Sequence, residues 1–365
     1  DPIEILKIMH RPKEHDPLIR YIPHPDKMED IYARLDQEQI SSMARHAVAK
    51  LGAGESNQAE KIAGCLAAFT NGEMSLLLDG FILFEHLSPG FMFMRGTPCM
   101  RDRIIDLLNA GRVSPNNALK ALAWIGDSKV VEIFGHWKTS PPPWCDALYI
   151  SPERYAQLAG WELSPELSRR DLHSQTCYPL KPDDGDGAAD EVAVLSVRND
   201  QCPWCRGPLR NVLVANRTPE FADLFATTGG AIEFLDCGSC GAYTDIYGEL
   251  DANGARWSSH NVRPKYLPQE RVDWEDMPRA KLAHGLVTRS PWHAASWYLP
   301  TSFSQVGGHP TWIQDANYPP CPQCGRLMRF VGQVSHEDLD EYGEGICYAF
   351  LCAGCGVTAT TYQQS

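Results

Sequence analysis

Apolar positions in the first third of the chain recur with the three-to-four-residue spacing of an α-helix. Across 29–50, Ile31, Leu35, Ile40, Met43 and Val48 form an approximate stripe within a run of helix formers, and Gly52 and Gly54 then stop it. The same patterning predicts helices over 58–69 and 74–87, parted by Asn71-Gly72, and over 100–110, ended by Gly111. Ser114 stands where an N-cap belongs, Pro115 suits a first helical position, and Gly126 closes the apolar run Leu119, Leu122, Ala123. Asp127 is then placed to cap a further helix over 130–137. Short helices paired across tight turns bury a face on their neighbours in α-solenoids, and 118–137 resembles one HEAT-type repeat. No clean period runs through 29–138, so a generic helical bundle fits the pattern equally well.

The patterning changes after Pro141-Pro142-Pro143, because three consecutive prolines cannot continue a helix. A short helix over 152–160 with Ser151 as its cap follows. The stretch 181–191 gathers Asp183, Asp184, Asp186, Asp190 and Glu191 with Gly and Pro, the composition of a flexible loop. Beyond it, strand-like runs dominate at 192–197, 232–235 and 346–351. The expected class is α+β. A helical, HEAT-like region occupies 1–140, a linker with a short helix and the acidic loop 141–195, and a β-rich domain 196–365.

Thirteen cysteines change the picture of that last region, because eight of them form four C-x-x-C pairs. Cys202 and Cys205 are followed by Cys237 and Cys240; Cys321 and Cys324 are followed by Cys352 and Cys355. Superposing the first pairs also aligns Arg210 with Arg329 and Val212 with Val331, and superposing the second pairs aligns Tyr247 with Tyr362, so the module is duplicated. Two residues between ligands let one tight turn aim both thiolates at a single ion, and two such turns complete a tetrahedron. Two zinc-ribbon-like modules holding two structural zinc ions are therefore expected. Four thiolates leave no position for water or substrate, which separates structural from catalytic zinc. Cys65, Cys99, Cys145 and Cys177 have no such spacing, and strand alternation places Cys347 opposite Ile346, Tyr348 and Phe350, as a packed thiol.

The chain has 365 residues, and no uninterrupted apolar run approaches the ~20 residues of a membrane span. Its first nine residues lack a basic segment, an apolar stretch and a cleavage site, so a cytoplasmic address is expected. A net charge of -13 disfavours a nonspecific grip on nucleic acid and favours a basic protein partner. Enzyme signatures fail one by one. Pro320-Cys321-Pro322-Gln323-Cys324 has no upstream H-x-E to make a deaminase, and His336-Glu337 meets Asp340 where a metalloprotease needs histidine. Phosphate-binding, nucleophile-elbow and dinucleotide motifs are missing from the sequence. A pocket around His309, Trp312, Gln314 and Asp315, with His293, remains the enzymatic alternative; a turn anchored by a buried aromatic explains the same residues.

The run 303–315, with Tyr318-Pro319, the pair Cys321 and Cys324, the closing 344–352 and 361–364, resembles the YwqG-like proteins, a bacterial family of unassigned function. The likeness is specific over 292–364 and weaker over 196–291. Some members sit among the immunity proteins of bacterial toxin systems, which implies a cytoplasmic protein-binding role, the partner being a basic toxin effector. Glu337, Asp338, Asp340, Glu341 and Glu344, between the second module's cysteine pairs, form the candidate contact.

Overall fold

The computed structural model describes residues 1–13, 18, 22–182, 191–216, 231–252, 254–267, 281–284, 288–340 and 342–364. Most of the acidic stretch over 181–191 lies outside them. The chain divides into two compact units, Asp1–Arg170 with Tyr298–Thr301, and Asp171–Trp297 with Ser302–Ser365.

Helices α1 (Pro2–Met9), α2 (Met28–Ala33), α3 (Gln37–Gly52), α4 (Ser56–Phe69), α5 (Ser75–Leu83), α6 (Pro98–Asn109), α7 (Pro115–Ile125) and α8 (Ser128–Thr139) build the first unit. The single helix expected over 29–50 is in fact two. Asp36 accepts from the Gln39 backbone at 2.9 Å while the Gln39 side chain accepts from the Asp36 backbone at 3.0 Å. That capping box satisfies two orphan donors and starts a new helix inside the apolar stripe. Helix α5 stops short of the expected residue 87, since Glu85 takes a left-handed φ of 57°. At the end of α7, Gly126 adopts φ 55° and its N–H bonds to Leu122, and the Asp127 carboxylate accepts from Val130 at 2.9 Å to open α8.

The first unit does not end at 140. It continues through 3-10 turns over Pro143–Ala147 and Pro152–Ala159 into a ribbon of β1 (Trp161–Leu163) and β2 (Arg169–Asp171). The anchor is Trp161, fully buried, stacked 5.8 Å from Phe134 and donating its indole N–H to the Ala123 carbonyl at 2.9 Å. A large apolar body with one satisfied donor outweighs the proline break, which interrupts a helix and nothing else.

In the second unit the strands are β3 (Ser174–Pro182), β4 (Glu191–Gln201), β5 (Pro208–Asn216), β6 (Ala231–Asp236), β7 (Ile246–Asp251), β8 (Gly254–Trp257), β9 (Lys281–His284), β10 (Gln305–Gly308), β11 (Arg329–Ser335), β12 (Ile346–Cys352) and β13 (Val357–Gln363). They form one sheet in the order β6-β5-β4-β9-β3-β10-β11-β12-β13-β7-β8, its described pairings antiparallel. Residues 174–182, placed by sequence in the linker, form β3, while β4 contains the strand expected over 192–197. Cys177 and Leu180 are buried in β3, and that burial turns a linker into a strand.

The sheet folds its two repeats onto one core, in which Val212, Leu213 and Phe234 meet Val331, Val334, Cys347, Ala349 and Leu351. The positions that align in sequence, Val212 and Val331, share this layer. Alternation sends Ile346, Tyr348 and Phe350 to the opposite layer with Trp312, Tyr318 and Phe330, and Cys347 is packed as expected. The hairpin β5–β6 repeats as β11–β12, but the third strands differ: β13 joins β12, whereas its counterpart β7 pairs with β13, Tyr247 opposite Ala359. The repeats are interlocked. The fold is α+β, helical first and β-rich with two four-cysteine modules after, and no helix of the described residues is long and apolar enough to cross a membrane.

Candidate metal centres

Both modules build their first turn with the same two bonds. The Cys202 N–H donates to Gly207 at 2.8 Å and Arg206 N–H to Cys202 at 2.9 Å; Cys321 donates to Arg326 and Gly325 to Cys321, each at 2.8 Å. The fifth residue is left-handed in each, Arg206 at φ 65° and Gly325 at φ 73°. Glycine takes that conformation without strain, whereas arginine pays roughly 1 kcal/mol for it. The second pairs sit on the one-turn helix α9 (Gly238–Gly241), where Gly241 N–H bonds to Cys237, and on the turn between β12 and β13, where Cys355 N–H bonds to Cys352.

Each cluster brings four sulfurs within 4.8 Å of one another. Cys202 and Cys240 lie 3.9 Å apart, Cys205 and Cys237 3.5 Å, Cys324 and Cys352 3.7 Å. Sulfurs ~2.3 Å from a central ion at the corners of a tetrahedron would stand ~3.8 Å apart. The spacing suits a tetrahedral ion and is far beyond a disulfide bond; all eight thiols are free. Hydrogen bonds from Cys237 and Cys240 push the Cys202 thiol well down, and the Arg326 backbone N–H helps bring Cys324 to about 7. Each cluster thus holds one thiol whose thiolate, the form that binds metal, is favoured, while hydrogen bonds with Cys202 push Cys237 and Cys240 up and burial pushes Cys352 and Cys355 up.

The two surroundings differ. Cys202, Cys237 and Cys240 are at most 1% exposed, packed among Leu209, Leu235, Ile246 and Leu267 with Trp204 and Trp257 against them, and Cys205 is half-buried. In the second cluster only Cys321 is buried; Cys352 and Cys355 are half-buried and Cys324 is exposed.

Behind the first cluster lies a polar network not foreseen from the sequence. Arg210 donates to Asp236 through Nε at 2.9 Å and lies 3.7 Å from the Cys347 sulfur, which lies 3.5 Å from His336 Nε2. Thr360 adds a bond to Asp236 at 3.3 Å. Burial pushes the Cys347 thiol up to about 12 and the His336 ring down to about 4, so both are neutral beside the paired charges. The network ties residue 236, next to a cysteine ligand, to the second repeat. Arg210 aligned with Arg329 in sequence, yet Arg329 donates to the His173 carbonyl instead.

The residues of the enzymatic alternative go to different places. His309 is fully buried, its ring 5.5 Å from His173 and 5.6 Å from Trp292. Trp312 is buried in the core against Tyr348 and Phe350. Gln314 and Asp315 are exposed, Gln314 donating to the Gln364 carbonyl and the Asp315 carbonyl accepting from Gln363. In the acidic segment, Glu337, Asp340 and Glu344 are exposed, and Glu341 lies outside the described residues. Asp338 is half-buried and accepts from the Phe303 and Ser304 backbones at 2.9 and 2.6 Å, which makes it an internal anchor.

Comparison with known proteins finds YpfL of Salmonella typhimurium, described as an uncharacterized protein, 39% identical over 372 aligned residues. The alignment covers 100% of this chain and 86% of that one. The chain belongs to the YpfL family. No sequence-family profile and no solved structure matches this chain. The kinship spans both units of the fold and names no activity.

Proposed function

We propose that each four-cysteine cluster holds one structural zinc ion and that the chain is a cytoplasmic, bacterial protein-binding protein, the immunity partner of a basic toxin effector. The observation that carries the metal assignment is the pair of closed four-sulfur clusters at tetrahedral spacing. Such a set suits zinc or iron among common metals, and zinc needs no redox partner. Zinc would be held by Cys202, Cys205, Cys237 and Cys240, and by Cys321, Cys324, Cys352 and Cys355, supplying folding energy to turns that bury little surface of their own.

The binding role rests on the charge of -13 and on the resemblance of 292–364 to YwqG-like proteins. Glu337, Asp340 and Glu344 project from a connection held at both ends by β11 and β12 and pinned by Asp338. A restrained loop loses little entropy on binding, and its charge steers an oppositely charged partner. The interior positions of His309 and Trp312 do not favour an enzyme pocket there. Elemental analysis of protein purified without added metal should give two zinc atoms per chain; a metal-free, fully folded protein refutes the assignment. Association with a captured partner should slow as salt rises, and Glu337→Lys with Asp340→Lys and Glu344→Lys should weaken it while melting is unchanged. A partner indifferent to both manipulations refutes the acidic-surface reading.

A further inference from the structure

The surface of the first cysteine module runs against the charge of the chain. Three segments meet there, 202–210, 237–244 and 254–267, and they contain no aspartate or glutamate. Arg210 is turned inward to Asp236, and Arg256 is matched by Glu249 and Asp251. Arg206, Arg263 and Lys265 are exposed, with no ion pair among the described residues. Aromatic groups lie among these cations: Tyr266 is 68% and Tyr243 46% exposed, and half-buried Trp204 meets Trp257 edge-on at 5.0 Å. Two bonds join the segments into one face, Tyr266 Oη to the Tyr243 carbonyl and Arg263 Nη1 to the Trp204 carbonyl, each at 3.2 Å. Behind it stands the apolar packing of the cysteine cluster, so the face is presented by a stiff module.

We propose that this face binds single-stranded nucleic acid. Its cations match phosphates, and exposed tyrosines offer the flat faces on which unpaired bases stack. An acidic polypeptide would satisfy the cations and leave the tyrosine faces without a planar partner. The net charge of -13 does not forbid the contact. Screening confines each charge to ~8–10 Å at physiological ionic strength, so the potential a bound strand feels is set by the groups nearest to it, here Arg206, Arg263 and Lys265, which no described carboxylate pairs. The inference is independent of the protein-binding reading.

The test is fluorescence anisotropy of labelled oligothymidylate and oligouridylate, each about twelve nucleotides long, with the metal-loaded chain of both units. Three phosphate contacts predict that log K falls with log salt at a slope of about -2. Tyr266→Ala and Tyr243→Ala should each weaken binding about tenfold at unchanged salt slope, because stacking is uncharged. Arg263→Gln with Lys265→Gln should reduce the slope to about -1. Tighter binding of oligouridylate would identify the strand as RNA, and equal binding would show that the 2′-hydroxyl is not read; either supports the proposal. Metal content and melting of each variant, unchanged, exclude unfolding as the cause. Failure of both oligonucleotides to bind at about 50 mM salt overturns the proposal. Displacement by polyglutamate as effective as by unlabelled oligonucleotide, with the tyrosine variants silent, overturns it in favour of an acidic protein surface.

Discussion

The two zinc ions proposed here should leave the protein at very different rates. A chelator reaches the second cluster directly: Cys324 is exposed, and a Cβ added at Gly325 or Gly354 would meet nothing within 4 Å. At the first cluster only Cys205 is half-buried, and freeing the ion from Cys202, Cys237 and Cys240 requires an opening that exposes two of the apolar side chains packed with them, such as Trp204 and Leu267. Uncovering two large apolar side chains costs about 3–6 kcal/mol, at roughly 1.5–3 kcal/mol each. One tenfold change per 1.4 kcal/mol makes release about 100- to 20,000-fold slower. The assay is absorbance of a chromophoric zinc chelator in excess at neutral pH, with total zinc measured after acid denaturation. Release should resolve into two phases of one equivalent each. Cys324→Ser should abolish the fast phase alone, leaving one slowly exchanging ion. Loss of both ions at a single rate, with the total still two, would refute the burial argument while leaving the metal assignment standing. Loss of the slow phase in Cys324→Ser would show that the exposed cluster is the slower of the two.

Arg206→Gly should raise stability by about 0.5–1 kcal/mol in chemical denaturation at unchanged zinc content, since it removes left-handed strain that Gly325 avoids at the matching position; a loss of stability would count against that strain. Burial lowers the His10 ring from 6.5 to about 4, so the folded protein resists a proton that the unfolded chain accepts. Stability of the first unit should therefore be full above pH 6.5 and fall as pH drops toward 4, by about 3 kcal/mol in all. Proton NMR titration of the His10 ring checks the shift, and a midpoint near 6.5 would refute it.

Features that depend on a few adjacent residues are legible in the sequence alone. The C-x-x-C pairs, the Gly126 stop with the Asp127 cap, and the alternation that buries Cys347 are set by turn geometry and side-chain period, which need no distant partner. Even the break inside 29–50 is encoded locally, in Asp36 and Gln39, although the continuous apolar stripe conceals it. Long-range pairing decides the rest. Residues 174–182 become a strand only because β9 and β10 lie beside them, and β7 leaves its own repeat to join β13. Arg210 and Arg329 occupy equivalent sequence positions, but only Arg210 finds Asp236 beside it in the interior. Asp338 reads as one carboxylate in an acidic run until the backbone of 303–304 comes within hydrogen-bond reach. A residue type fixes what a side chain is able to do; its neighbours across the fold set the dielectric and the partners that determine what it does.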